Sequence, residues 1–134
     1  MADQPYSATT QAIRVTVQPV YLADQSQPAD HHYVWAYHVL IENQGAETVQ
    51  LRNRHWRITD ALGRLKEVRG PGVVGEQPVL APGERFEYTS GTPLPTPSGI
   101  MVGSYEMERP DGSRFEVAIP AFSLDSPYQA KRLN

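Results

Sequence analysis

The chain has 134 residues, of which 40% are hydrophobic and 20% are charged, and these proportions are typical of one globular domain. Its formal net charge of −3 at pH 7 lacks the basic excess of a nucleic-acid-binding protein, so no nucleic-acid partner is expected. The chain contains no cysteine, which excludes disulfides, thiolate metal sites and cysteine nucleophiles.

The ends and the apolar runs carry no membrane or export signal. The N-terminal sequence MADQPYSATTQ has neither the basic start nor the apolar core of a signal peptide. No apolar run approaches the ~18 residues that span a bilayer. A cytoplasmic location without membrane contact is therefore expected.

Alternation of apolar and polar residues recurs along the chain and predicts short strands. In chain order these lie in IRVTVQPVY, YVWAYHVLIEN, TVQLRNRHWRITDALGR, RLKEVRG, RFEYTSGTPL, IMVGSYEMER and RFEVAIPAF. About seven strands with regular turns predict an all-β antiparallel sandwich, with a compact barrel as the alternative. We expect a flexible N-terminus over residues 1–12, a single domain over residues 13–124 and a C-terminal tail over residues 125–134.

Two strands have special features. Val49 and Leu51 lie on one parity of the third strand, whereas Trp56 and Ile58 need the other parity to be buried, which predicts a β-bulge or bend near residues 53–55. Pro19 places the first predicted strand at a sheet edge. Since an exposed edge is a template for strand addition, residues 13–17 can pair two copies into a dimer.

The segment VRGPGVVGEQP contains Gly70, Gly72 and Gly75 in the spacing of a dinucleotide-binding motif. In that motif a helix follows the glycines, but a helix begun near Val73 would meet Pro78 within about two turns. No Gly-Lys-Ser/Thr sequence follows, so the segment is not a P-loop either. We call residues 70–75 the glycine loop.

Two interpretations of the glycine loop stay open. Its glycines can supply positive φ or a close backbone approach in a crossing loop. Alternatively, the amides of Gly70, Gly72 and Gly75, with the charge of Arg69, can form an anion-binding nest for a phosphate-containing small molecule. Glu67 and Glu76 oppose an anion.

A basic patch with an aromatic residue, LRNRHWR, supplies the second site hypothesis. Arg54, Trp56 and Arg57 form a partner-binding hot spot if the indole is exposed. The alternative is a core tryptophan flanked by a solvated strand face.

Catalytic and metal-binding patterns are weak. His31 and His32 have Asp24 and Asp30 nearby, but they lack the spacing of a metal site, so no metal or cofactor is predicted. A Ser-His-Asp set can be assembled from widely separated residues, for example Ser104, His38 and Asp60, yet no nucleophile motif supports it. No catalytic residue is therefore predicted.

The segments YVWAYHVLIEN, VQLRNRHWRITDALGR, VRGPGVVGEQPVLAPGERFEYTSGTPLPTPSGIMVGSYEM and FEVAIPAFSL together resemble the bacterial ApaG family, from about Ile13 to Leu124. The resemblance implies a fold similar to fibronectin type III. It also implies relatives at the ends of some F-box proteins and of a polymerase-delta-interacting protein, where they look like interaction modules. The family's genes are associated with diadenosine-tetraphosphate metabolism and divalent-cation tolerance, which assigns chemistry to no residue.

Together these observations predict a non-enzymatic binding module that recognises a protein partner. The alternative is a small-ligand protein that binds pyrophosphate, a nucleotide or a divalent cation through the glycine loop. Enzyme activity on a dinucleoside polyphosphate ranks third, because no base or metal-ligand set is visible.

Overall fold

The computed structural model describes residues 5–128, which form nine strands and two short 3₁₀ helices. The helices, Ala23–Gln25 and Pro28–Asp30, lie between the second and third strands. The strands are β1 (Tyr6–Thr10), β2 (Ile13–Tyr21), β3 (Tyr33–Asn43), β4 (Val49–Asp60), β5 (Leu65–Pro71), β6 (Val79–Leu80), β7 (Arg85–Leu94), β8 (Ser98–Glu108) and β9 (Arg114–Asp125).

The strands form two antiparallel sheets that pack face to face. One sheet has the order β1-β2-β3-β7, and the other has the order β5-β4-β8-β9 with β6 also paired to β4. The predicted sandwich is confirmed, with nine strands rather than about seven. The two additional strands are β1, which lacks a fully buried residue, and β6, which has only two residues. Neither has the alternation that identifies a strand in sequence.

One hydrophobic core lies between the sheets. Alternate residues of β3 are buried, and Trp35 is 1% exposed. Its Nε1 donates to the carbonyl oxygen of Asp125 at 2.8 Å, which joins the two sheets. Strand β3 lies between β2 and β7. Only one of its faces is in the core, because residues of the other parity are half-buried or, at His38, exposed.

The predicted bulge in β4 is confirmed. Leu51 lies opposite Met107 and Asn53 lies opposite Glu106, so Arg52 is the extra residue between them. The bulge changes which parity faces the core: Leu51 is buried before it, and Trp56 is buried after it. The extra residue Arg52 therefore determines which residues of β4 after position 52 face outward.

The N-terminal segment differs from expectation. Strand β1 lies within residues 1–12, where a flexible N-terminus was expected, and it pairs with residues 13–17 of β2. Residues 13–17 therefore have a strand on either side, so the premise of a dimer through that edge is wrong. Pro19 lies beyond the end of β1, where its missing N–H costs no bond on that side.

The C-terminal part of the described chain packs on the sandwich. Strand β9 ends at Asp125, and the buried Ser126 hydroxyl donates to the carbonyl of Pro97 at 2.6 Å. The rest of the predicted tail, residues 129–134, and residues 1–4 lie outside the described part. Within residues 5–128, no helix has the length and apolar character needed to cross a membrane.

Candidate binding surface

Pairing between β4 and β5 brings the two sequence-predicted sites together. Arg54 lies opposite Gly70, and Trp56 lies opposite Val68. Directly opposed residues share a face of the sheet. Arg54 and Trp56 therefore face inward, while Arg57 on the other parity faces outward.

Trp56 belongs to the core. Its side chain is 3% exposed, and its ring centroid lies 5.3 Å from that of Tyr37 and 6.0 Å from that of Phe122. Its assignment to a partner-binding hot spot is therefore wrong, because the bulge at Arg52 turns the indole between the sheets. The alternative interpretation, a core tryptophan, is confirmed.

Arg54 holds the glycine loop rather than facing a partner. It is half-buried, and its Nη1 donates to the carbonyl oxygens of Pro71 at 2.9 Å and Gly72 at 3.0 Å. Its guanidinium also lies over Gly70, where an added Cβ would be 3.0 Å from Nη1. A side chain at position 70 would displace this arginine, so Gly70 is explained by the close approach.

The glycine loop is a tight turn closed by its own backbone. Val73 and Glu76 exchange N–H···O bonds of 2.8 Å in both directions, and the Gly72 amide donates to the carbonyl of Arg52 at 2.8 Å. Gly72 and Gly75 have φ of +62° and +80°. An added Cβ on Gly72 would lie 2.2 Å from the carbonyl oxygen of Glu76. The spacing of the glycines therefore serves backbone geometry, and the amides of Gly72, Val73 and Glu76, which are bonded in this turn, are not available to an anion.

A cleft of about 410 Å³ adjoins the loop and is lined by Arg54, Arg69 and Gly70. Carboxylates line it too, since Glu106 and Glu116 are among its walls. Arg69 already lies 3.6 Å from the Glu67 carboxylate. This mixture of charges does not select an anion.

The outer face of the five-stranded sheet carries exposed apolar side chains. Thr59 lies opposite both Leu65 and Ile100, and Arg57 lies opposite both Glu67 and Val102. Leu65 is 59% exposed and Ile100 is 54% exposed. We call this surface, made of Arg57, Thr59, Leu65, Ile100 and Val102, the β4 face.

Arg57 is the charged residue of the β4 face. It is exposed and forms no ion pair with any carboxylate of residues 5–128. Its cross-strand neighbour Glu67 is engaged by His55, whose Nε2 lies 2.8 Å from Glu67 Oε1. This hydrogen bond is the main reason that the pKa of the Glu67 carboxyl is lowered, and the charge of Arg69 lowers it further against the effect of burial. Arg57 is thus left with donors for another molecule.

The residues considered for catalysis are not brought together. Ser104 lies on the outer face of the β4–β8 pair, whereas His38 lies on the other sheet and bonds Thr89 at 2.8 Å. Asp60 is bound to Arg64 at the end of β4. Among the described residues, no group of three or more histidines and carboxylates could hold a metal ion.

Leu65 and Ile100 carry no functional signal in the sequence alone. An apolar residue in an alternating strand is ordinarily assigned to the core. Their exposure depends on the register that pairs both with Thr59. That register follows from the bulge and from strand pairing, which a single sequence does not specify.

The fold and the loop geometry define an antiparallel β-sandwich with a clamped glycine turn, and comparison with known proteins places it in a family. Residues 23–109 match the model of the ApaG domain. The chain is 70% identical over 129 residues to Protein ApaG of Paramagnetospirillum magneticum, covering 96% of this chain and 99% of that protein. It is 71% identical over 129 residues to Protein ApaG of Rhodospirillum centenum, with the same coverage.

A solved structure agrees with these relatives. The crystal structure of a Bordetella pertussis protein described as ApaA superposes with a TM-score of 0.84 at 50% identity, covering 93% of this chain and 100% of that chain. The chain therefore belongs to the ApaG domain family. The predicted family resemblance is confirmed, and neither the family description nor the relatives' names state a reaction.

Proposed function

We propose that this protein is a non-enzymatic recognition module that binds another protein through the β4 face. The observation that carries the proposal is an exposed arginine, Arg57, that forms no ion pair with any carboxylate of residues 5–128 and lies among the exposed apolar side chains Leu65 and Ile100. Arginine is enriched in protein-binding hot spots, and exposed apolar side chains gain free energy when an interface removes them from water.

The chemistry of the β4 face specifies what it would bind. Leu65, Ile100 and Val102 offer a shallow apolar surface, and Arg57 offers a planar fork of donors that fits a carboxylate. The complementary partner presents an apolar side chain next to an aspartate or glutamate. Binding would remove both apolar surfaces from water and place a carboxylate beside the charge of Arg57.

A second copy of this chain does not fit the β4 face as a partner. A two-fold dimer centred on the β4 face would bring the two Arg57 charges together. Like charges facing each other across an interface disfavour association. The proposal therefore commits to a different protein.

Two observations support a non-enzymatic role. The serine, histidine and aspartate considered for a triad lie on separate surfaces. The carboxylates Glu106 and Glu108 are engaged by structural partners: Asn53 donates to Glu106 at 2.6 Å, and Arg52 donates to Glu108 at 3.2 Å.

Site-specific photocrosslinking tests the proposal. A photoreactive amino acid is placed at Ile100, which is 54% exposed, and in a matched variant at Val20, which is 52% exposed on the other sheet. Both proteins are irradiated in lysate of the source organism, and the adducts are identified by mass spectrometry. We expect one reproducible protein adduct at position 100 that is absent at position 20.

The adduct must also depend on Arg57. Adding Arg57→Glu to the Ile100 variant should abolish the adduct, because the substituted charge repels the carboxylate of the partner. Adducts that are the same at both positions, or that persist in the Arg57→Glu background, would contradict recognition through the β4 face.

A further inference from the structure

A second cleft, of about 380 Å³, lies at the end of the sandwich where β7 ends, and basic side chains converge on it. Three separate segments line it: the loop before β3, the β4–β5 hairpin and the end of β7. We call it the basic cleft. Its basic residues are His31, His32, Arg64 and Lys66.

The fold brings these segments together through two pairings. Tyr33 lies opposite Leu94, so the histidines just before β3 adjoin the prolines that follow and precede Leu94. The Asp60 amide donates to the carbonyl of Arg64 at 3.0 Å, which closes the β4–β5 hairpin and fixes Arg64 at the rim of the cleft.

Among the described residues that line the cleft, Asp60 is the one carboxylate, and its oxygens already accept hydrogen bonds. It accepts from the amides of Leu62 at 2.9 Å and Arg64 at 3.0 Å, and from Arg64 Nε at 2.8 Å. Burial is the largest influence and raises the pKa of this carboxyl, but the hydrogen bonds from Arg64 and Leu62 together outweigh it and hold the pKa below its ordinary value. Asp60 therefore stays ionised, and its charge is matched by Arg64.

The remaining donors have no acceptor within residues 5–128. Arg64 uses only Nε in its pair with Asp60, which leaves both terminal nitrogens. Lys66, His31 and His32 form no side-chain hydrogen bond or ion pair with a described residue. Lysine adds a full positive charge, and an imidazole donates at least one N–H in either protonation state. The cleft thus offers several donors and a positive excess to an incoming anion.

Apolar groups complete the walls. Ile58, Leu94 and two prolines line the same cleft. Its volume falls in the range of about 300–1,000 Å³ that is usual for small-molecule sites. A ligand that satisfies both parts of the wall has an anionic group and a compact apolar group.

From this arrangement we propose that the basic cleft is a binding site for a small organic phosphate monoester. A phosphate monoester presents three oxygens and up to two negative charges, which matches the arginine, lysine and imidazole donors better than one carboxylate does. Its organic group would contact Ile58, Leu94 and the prolines. The site is separate from the glycine loop, and it shares only Leu65, at its margin, with the β4 face.

Amide NMR with phenyl phosphate as the probe tests this assignment. We expect saturable shifts confined to His31, His32, Arg64, Lys66 and Leu94, with a Kd below about 1 mM. Inorganic phosphate should bind at the same amides but more weakly, because it lacks the apolar group. Phenol, which lacks the phosphate, should give no saturable shift.

Two variants separate the site from general charge attraction. Lys66→Ala removes an exposed lysine that has no side-chain partner within residues 5–128, and it should weaken phenyl phosphate binding about tenfold. The matched control, Arg85→Ala, removes an exposed arginine at the other end of β7, about 30 Å away along the strand, and should leave the affinity unchanged.

Several results would overturn the assignment. Shifts centred on the glycine loop would move the phosphate site there, and shifts that do not saturate would reduce the interaction to diffuse attraction. Equal weakening of binding by Lys66→Ala and Arg85→Ala would likewise reduce the interaction to diffuse attraction. Inorganic phosphate binding as tightly as phenyl phosphate would contradict a role for the apolar wall. None of these outcomes bears on crosslinking at Ile100, so the two proposals fail independently.

Discussion

At the scale of single residues, Gly72 and Gly75 share a positive φ but differ in the space that is available for a side chain. Both have positive φ, but an added Cβ meets the Glu76 carbonyl oxygen at 2.2 Å at position 72 and nothing within 4 Å at position 75. Gly75→Ala should therefore cost only the conformational penalty of about 1 kcal/mol, whereas Gly72→Ala should cost about 3 kcal/mol or more. Urea unfolding of both variants measures the difference. Equal losses of unfolding free energy would contradict the steric role of position 72.

Trp56 gives a spectroscopic prediction at the same scale. In a Trp35→Phe variant, Trp56 is the only tryptophan, and it is 3% exposed between Tyr37 and Phe122. We expect strongly blue-shifted fluorescence emission, because the indole is shielded from water. Emission near that of free tryptophan in the folded variant would mean that the indole faces solvent.

At the scale of elements, β4 organises the five-stranded sheet. Its change of inward parity is visible in the sequence as two apolar pairs of opposite parity, and it predicts the bulge found at Arg52. The hydrogen bonds of Arg54 to Pro71 and Gly72 could not be predicted from the sequence, because they depend on the register between β4 and β5. Strand β1 is missed for a different reason: its short polar residues alternate in exposure but include no buried apolar side chain.

The Arg54 clamp predicts a local effect on the glycine loop. Arg54→Ala removes two hydrogen bonds to loop carbonyls and should destabilise the protein by about 1–3 kcal/mol. Hydrogen exchange of the amides of Gly72, Val73 and Glu76 should accelerate, while exchange within the β8–β9 pair should change little. Arg57→Ala, on the outward face of the same strand, is the control and should alter stability by less than about 0.5 kcal/mol. Uniform acceleration across the protein would argue against a local clamp.

At the scale of the whole molecule, ionised carboxylates support the folded state. Hydrogen bonds from Asn53 and Arg114 lower the pKa of the Glu106 carboxyl, and a hydrogen bond from Arg52 lowers that of Glu108. The pKa of Asp60 is lowered as well. A carboxyl with a lower pKa in the folded state contributes stability above its unfolded pKa, and this contribution is lost as the pH falls through the folded pKa.

The unfolding free energy should therefore decline as the pH is lowered from about 5 to about 3, around the ordinary carboxyl pKa values. Urea titrations across that range measure the decline. In a Glu106→Gln variant the decline should be shallower, because one of the contributing carboxyls is absent. Unfolding free energy that is constant from pH 5 to pH 3 would show that these hydrogen bonds do not favour the ionised forms.

Recognition through the β4 face is tested most directly by affinity. The protein captured at position 100 is purified, and its Kd is measured by calorimetry for the unaltered chain and for Arg57→Glu, Ile100→Asp and Val20→Asp. We expect Arg57→Glu and Ile100→Asp each to weaken binding at least about tenfold, as for hot-spot residues, and Val20→Asp to leave it unchanged. Equal affinities for all four proteins, or a loss confined to Val20→Asp, would contradict the account.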